Sequence, residues 1–147
     1  MGRLLIVSNR LPVTVHRQRG HLRFEPSAGG LATGLSSFYR TYNALWIGWP
    51  GIDRKDGGTS KDDIKEALLA ENCYPVFLSQ KEVDDYYGKF CSATLWPLFH
   101  YFPQYANYSR TSWQAYERAN RTFCDAIVEV WEQGDTIWVH DFHLMLL

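Results

Sequence analysis

Short apolar runs that end in polar or turn-forming residues alternate along the chain with segments of helical periodicity. The apolar runs are residues 3–8, 45–49, 74–78 and 136–139. Their Leu, Ile, Val and aromatic content is typical of buried parallel strands. Apolar residues recur at helical spacing in residues 31–42, 61–71 and 112–132. This alternation predicts an α/β fold with a Rossmann-like, mainly parallel sheet and flanking helices.

Two local patterns refine this prediction. Residues 11–25 alternate apolar and polar side chains around Arg19 and Gly20, which predicts a small β-hairpin. Ser79 and Glu82 have the spacing of a capping box, in which each side chain binds a free backbone N–H of the first helical turn. We therefore expect a further helix to begin there and to carry the Tyr86-Tyr87 pair.

Composition and charge exclude several classes of protein. The chain has 147 residues, 46% of them hydrophobic and 21% charged, with a net charge of −1. This balance excludes a disordered tail and argues against nucleic-acid binding through bulk charge. Aromatic residues make up 16% of the chain. So many rings indicate either a thick core or a cleft suited to stacking on ring-shaped ligands.

The N-terminal residues and the cysteines predict a cytoplasmic protein without a membrane partner. The apolar run near the N terminus ends at Ser8, which is too early for a signal peptide, and no stretch approaches the length of a membrane span. Cys73, Cys91 and Cys124 match neither a disulfide framework nor the ligand spacing of zinc sites. All three are predicted to be buried thiols.

Ligands of parallel sheets bind beyond the carboxyl ends of the strands, so the residues that follow each strand are site candidates. These are Ser8-Asn9-Arg10, Trp49-Pro50-Gly51, Ser79-Gln80 and His140-Asp141. The Arg10 guanidinium could hold a phosphate bidentately, or it could pair with a surface carboxylate. Gly29 and Gly30 precede a predicted helix whose free N–H groups could bind an anion, or they form only a turn.

Aromatic and acidic side chains supply the other candidates. The rings of Tyr86, Tyr87 and Trp96 could pack on the C–H face of a sugar, or they could fill the core. Asp141 could accept hydrogen bonds from sugar hydroxyls. Strand alternation predicts that Asp141 and His143 point one way and His140 the other. The ligands that a metal site needs are not evident in the sequence, nor is a nucleophile triad.

Six segments, taken in order, resemble the N-terminal part of the trehalose-6-phosphate synthase family. They are RLLIVSNRLP (3–12), SAGGLATG (27–34), WIGWPG (46–51), DYY (85–87), LWPLFHY (95–101) and WVHDFHL (138–144). The resemblance extends over nearly the whole chain, and six motifs in order are far more specific than any one of them. It implies a retaining glycosyltransferase of the GT-B fold that transfers glucose from UDP-glucose to glucose 6-phosphate, with no metal or other cofactor.

The motif positions imply roles for individual residues. Arg10 corresponds to the family's arginine for the acceptor phosphate, and Tyr87 and Asp141 to residues that contact glucose 6-phosphate. The pair Gly29-Gly30 corresponds to the loop at the diphosphate and glucose of the UDP-glucose donor. Trp96 corresponds to a tryptophan that shapes the acceptor pocket and its choice of anomer.

The resemblance also implies that residues 1–147 form the first part of an N-terminal, acceptor-side domain. The nucleotide-sugar domain and the catalytic groups are then expected beyond Leu147, so the chain alone would not turn over substrate, and the full-length form could be a homo-oligomer. The chain departs from the family at Phe142, where tyrosine is usual, and at residues 89–92. A sibling enzyme, such as glucosylglycerol-phosphate synthase or a pseudo-glycosyltransferase, and a non-catalytic sugar-phosphate sensor remain as alternatives.

Overall fold

The computed structural model describes residues 2–18, 21–41, 43–53 and 60–147. The strands are β1 (Leu4–Arg10), β2 (Val13–Gln18), β3 (His21–Pro26), β4 (Ala44–Trp49), β5 (Cys73–Pro75) and β6 (Thr136–Val139). Four of them form a parallel sheet in the order β5-β4-β1-β6, and β2 and β3 form the predicted antiparallel hairpin. The predicted α/β class with a mainly parallel sheet is confirmed.

Helices connect the strands and cover the sheet. They are α1 (Gly30–Thr41), α2 (Lys61–Leu69), α3 (Gln80–Val83), α4 (Trp96–Phe99) and α5 (Arg110–Val130), with a π-helical segment (Asp84–Leu95) between α3 and α4. Two 3₁₀ turns follow at Pro103–Tyr105 and Phe142–Leu144. The predicted capping box begins α3, where the Ser79 N–H donates to the Glu82 carboxylate at 2.7 Å.

Strands β1, β4 and β5 are largely buried on both faces, as parallel strands usually are, whereas the edge strand β6 is mostly exposed. Leu5 and Val7 of β1 point into a core formed with α5 and the π-helical segment. Ile6, between them, points to the opposite face, where the hairpin and α2 pack. The strand β1 is therefore buried as far as Ser8, and its last two residues, Asn9 and Arg10, emerge from the packed layers.

Several sequence predictions need correction. The strand predicted at residues 74–78 is β5, and it spans only Cys73–Pro75. The chain leaves the sheet there, before the helix cap at Ser79. Cys73 and Cys91 are buried as predicted, but Cys124 is exposed because it lies on the outer face of α5, next to the buried Phe123. Residues 19–20, 42 and 54–59, which include parts of the predicted hairpin turn, first helix and polar loop, lie outside the described residues.

Within the described part of the chain, we find no helix long and apolar enough to cross a bilayer.

Candidate functional site

A cleft of about 240 Å³ opens at the carboxyl ends of β1 and β6. The start of α1 and the π-helical segment also contribute to its wall. The cleft is lined by Ser8, Asn9, Arg10, Leu11, Ser27, Ala28, Gly29, Gly30, Leu31, Ala32, Trp46, Tyr87, His140, Asp141 and His143. Its position is the one expected for a ligand site in a parallel sheet.

The structure brings five of the six predicted site residues together in this cleft, and the exception is Trp96. The Trp96 side chain is 52% exposed and packs against the rings of His100 and Phe142, with centroids 3.8 and 5.8 Å away. Phe142 in turn stacks on His143, which lines the cleft. The Phe142 ring therefore contacts both Trp96 and the cleft residue His143. A direct role of Trp96 at an acceptor pocket stays a prediction.

Arg10 is the last residue of β1, and it lines the cleft. The guanidinium carbon lies 5.0 Å from the centre of the Trp49 ring, a cation–π distance, and Nη2 lies 3.5 Å from the Thr14 hydroxyl. Across the ranges that the structure describes, no carboxylate lies within ion-pair distance of Arg10. Among these residues, the alternative of a surface ion pair is thus not found, and the guanidinium is placed at the cleft.

The glycine turn before α1 forms part of the cleft wall. Gly29 has a φ of 147°, which disfavours other residues, and its carbonyl accepts the Thr33 N–H at 3.0 Å. A Cβ at Gly29 or Gly30 would meet no atom within 4 Å, so the backbone stands open on the cleft side. The first N–H groups of a helix have no partner within the helix and favour anions.

Asp141 adopts a backbone conformation that changes the predicted arrangement of the histidines. Its φ of 72° and ψ of 166° turn the chain out of β6 into the 3₁₀ turn that begins at Phe142. The prediction that His140 and His143 point in opposite directions is therefore wrong, and both line the cleft beside Asp141. One Asp141 oxygen accepts the Phe142 N–H at 2.8 Å, and the other lies 3.8 Å from His143 Nδ1.

The two histidines are held neutral at pH 7. Burial lowers the pKa of both His140 and His143, and the Asp141 charge offsets only part of this effect. The His143 ring stacks on Tyr87 with centroids 5.4 Å apart, which places Tyr87 as one wall of the cleft. His140 Nε2 is buried and has no hydrogen-bond partner among the described residues. In the same part of the chain, no group of three or more potential ligands is placed to hold a metal ion.

Sequence reasoning missed the residues that support this site from behind. It treated Tyr86 and Tyr87 alike, but Tyr86 is buried and donates its hydroxyl to Asn9 Oδ1 at 2.8 Å. The assignment of Trp46 to a buried strand is confirmed, but the sequence does not reveal that its indole N–H donates to Ser8 Oγ at 2.7 Å beside the cleft. Adjacent residues of a helix point in different directions, so one of the two rings is expected inside and the other outside. This is the only signal in the sequence that could have separated the two tyrosines.

Two of the strand-end candidates do not line the cleft. Ser79 and Gln80 begin α3 instead, and the Gln80 N–H donates to Asp53 at 3.0 Å. Trp49 acts only indirectly, as the ring beneath Arg10. The strand-end rule therefore holds for β1 and β6 and not for β4 or β5.

Comparison with known proteins decides the family. Residues 2–147 match the model of glycosyltransferase family 20. The chain belongs to glycosyltransferase family 20. It is 42% identical over 149 residues to the 56 kDa subunit of alpha,alpha-trehalose-phosphate synthase [UDP-forming] of Saccharomyces cerevisiae, a match that covers 99% of the chain and 30% of the relative. The Emericella nidulans alpha,alpha-trehalose-phosphate synthase [UDP-forming] is 44% identical, with 99% of the chain and 29% of that protein covered.

Solved structures confirm the fold of this family 20 chain. An Escherichia coli structure described as trehalose-6-phosphate bound with UDP-2-fluoro glucose matches with a TM-score of 0.68 and 31% identity, over 97% of this chain and 28% of that one. A synthase from Burkholderia xenovorans in complex with glucose-6-phosphate matches with a TM-score of 0.71 and 31% identity, over 97% and 29%. The chain thus has the N-terminal part of the GT-B fold and spans about 30% of the relatives' length.

Proposed function

We propose that this chain forms the acceptor-side part of an α,α-trehalose-phosphate synthase. The complete enzyme would transfer glucose from UDP-glucose to glucose 6-phosphate with retention of configuration, giving trehalose 6-phosphate and UDP. The observation that carries the proposal is the convergence of Arg10, the Gly29-Gly30 turn, Tyr87 and Asp141 in one cleft. The names of the family 20 relatives support the same reaction.

The cleft has chemically distinct groups for the two ends of a sugar phosphate. The Arg10 guanidinium is a hydrogen-bond donor, and it suits the phosphate. The Asp141 carboxylate is an acceptor, and it suits sugar hydroxyls, while the Tyr87 ring offers a flat face to the sugar. An acceptor bound in this way has a fixed orientation, because its charged and neutral ends cannot exchange places.

Fixing the acceptor is the main contribution that these residues would make to catalysis. When the nucleotide leaves with retention, the acceptor hydroxyl must attack from the face that the diphosphate vacates. Holding the two reactants in that geometry converts a bimolecular step into a nearly unimolecular one. The Gly29-Gly30 turn would face the donor diphosphate and stabilise its developing charge through backbone N–H groups. The reaction as proposed uses no metal ion.

A titration of the purified chain with glucose 6-phosphate tests the acceptor half of the proposal. Arg10→Ala should weaken binding by about 10- to 100-fold, because a hydrogen bond to a charged group contributes about 1.5–3 kcal/mol. Arg121→Ala removes an exposed arginine from α5 and is the matched control, with unchanged affinity expected. Equal affinity of the Arg10→Ala variant and the unsubstituted chain would remove Arg10 from the phosphate site.

Turnover is tested in a chimera in which residues 2–147 replace the matching segment of the Saccharomyces cerevisiae relative. We expect the chimera to release UDP from UDP-glucose only when glucose 6-phosphate is present, and the chain by itself to release none. Replacing glucose 6-phosphate by glycerol 3-phosphate distinguishes a sibling enzyme that uses a different acceptor. A chimera that binds glucose 6-phosphate without releasing UDP would point to a sensor.

A further inference from the structure

Asn9 lies beside Arg10 in the cleft, although neighbouring residues of a regular strand point to opposite faces. An irregularity in β1 explains this arrangement. Val7 pairs with Ile47 but Arg10 pairs with Trp49, so β1 has one residue more than β4 in this interval, as in a β-bulge. The bulge turns the Asn9 and Arg10 side chains toward the same cleft.

A buried hydroxyl fixes the orientation of the Asn9 amide. Tyr86 is only 1% exposed, and its hydroxyl donates to Asn9 Oδ1 at 2.8 Å. Burial also raises the pKa of Tyr86 well above its usual range, so this hydroxyl stays protonated and remains a donor. Because this bond holds the Asn9 oxygen toward Tyr86, the Nδ2 group, which carries two N–H donors, is the part of the amide left for a ligand.

The Asn9 Nδ2 group has no acceptor within the ranges that the structure describes, and it is not sealed in the interior. The side chain of its neighbour Arg10 likewise offers only donors. The acceptor Asp141 lies on the β6 side of the cleft. Two neighbouring donor side chains are suited to an anionic oxygen and not to a cation or an apolar group.

We propose that Asn9 is a further ligand-binding residue, whose Nδ2 donates to a phosphate oxygen of the bound sugar phosphate, and that Tyr86 is the positioning residue that orients the amide. The inference rests on the proposed function and adds a specific phosphate contact to it. It also gives the π-helical segment a role at the site, because that segment carries both Tyr86 and the cleft residue Tyr87.

The decisive variant is Asn9→Asp, titrated with glucose 6-phosphate in the purified chain. Aspartate still accepts the Tyr86 hydroxyl, but it replaces the two donors by a negative charge, so we expect affinity to fall at least 10-fold. Asn43→Asp makes the same chemical change in an exposed residue that precedes β4, at the opposite end of the strands. That control should bind glucose 6-phosphate like the unsubstituted chain.

A double-mutant cycle tests the positioning role. Tyr86→Phe should weaken glucose 6-phosphate binding by about 3- to 10-fold in the unsubstituted chain and have no further effect in an Asn9→Ala background. A merely structural role for Tyr86 would give the same loss in both backgrounds and would overturn the positioning assignment. If Tyr86→Phe does not fold, the comparison of Asn9→Asp with Asn43→Asp decides the ligand contact alone.

The outcomes separate this inference from the proposed function. If Arg10→Ala weakens binding and Asn9→Asp binds within twofold of the unsubstituted chain, the Asn9 contact is wrong and the function stands. If the unsubstituted chain does not bind glucose 6-phosphate at all, both are overturned. A loss in Asn9→Asp that Asn43→Asp does not share supports the contact.

Discussion

Asp141 holds a backbone conformation that is almost restricted to glycine. We therefore expect the Asp141→Gly variant to be more stable than Asp141→Ala, which is the reverse of the order usually found for these two substitutions. Its φ of 72° and ψ of 166° lie in a region where a residue with a Cβ is strained by about 1–3 kcal/mol. Asp141→Gly removes that strain and Asp141→Ala keeps it. Both variants lose the hydrogen bond from the Phe142 N–H to the Asp141 carboxylate, so this loss cancels between them.

The size of the difference follows from two opposing effects. Relief of strain favours the glycine variant, whereas the greater freedom of glycine in the unfolded chain disfavours it by about 0.4–1 kcal/mol. The Asp141 side chain is 56% exposed, so little packing is lost in either variant. We therefore expect Asp141→Gly to be more stable than Asp141→Ala by about 1 kcal/mol.

Urea denaturation measures this difference. If the free energy of unfolding depends equally on urea concentration in both variants, the midpoint of Asp141→Gly should lie about 0.5 M urea above that of Asp141→Ala. Arg118→Gly and Arg118→Ala, at an exposed position within α5, should show the ordinary order, with glycine the less stable by about 1 kcal/mol. An Asp141→Ala midpoint equal to or above that of Asp141→Gly would refute the strain. Both Asp141 variants should bind glucose 6-phosphate more weakly, because both lose the carboxylate.

Two further predictions concern the surroundings of the cleft. Gly51→Ala should weaken binding in the titration with glucose 6-phosphate. The added Cβ would lie 2.9 Å from Arg10 Nη2, and the Gly51 φ of 82° disfavours alanine. Unchanged binding would mean that the Arg10 side chain moves aside freely. Hydrogen bonds from Lys81 and Lys89 lower the pKa of Asp85 to about 2. Its contribution to stability is therefore present above about pH 4 and is lost as pH falls through about 2. Thermal denaturation should show the advantage of the unsubstituted chain over Asp85→Asn shrinking across that interval; an advantage independent of pH would contradict the ion pairs.

The regular parts of the fold could be predicted because their causes are local. The apolar run and flanking residues of β6 give its bounds of Thr136–Val139 directly. The alternation of Leu5, Ile6 and Val7 between the two faces follows from strand geometry alone. The carboxyl ends of parallel strands lie at one edge of a sheet, so the sequence also predicts that Arg10 and Asp141 lie at the same edge.

The parts that escaped prediction depend on departures from regular geometry. The bulge that turns Asn9 toward the cleft requires the register of β1 against β4, which is set by packing across the sheet. The positive φ of Asp141 has no signature in its residue type that would distinguish it from an ordinary strand end. Trp96 was placed by resemblance, and the intervening Phe142 ring could be seen only in three dimensions.

The aromatic content of the chain acquires a third explanation besides core packing and stacking on a ligand. Trp49 lies beneath the Arg10 guanidinium, Tyr86 binds the Asn9 amide, and the Trp46 indole binds the Ser8 hydroxyl. In each pair an aromatic side chain supports a polar group of the cleft wall. Trp and Tyr suit this role because they combine a rigid apolar body with one polar atom. Polar groups held in this way lose little freedom when a ligand binds, so changes to rings that do not line the cleft, such as Trp49 and Tyr86, should alter affinity without any loss of direct contact.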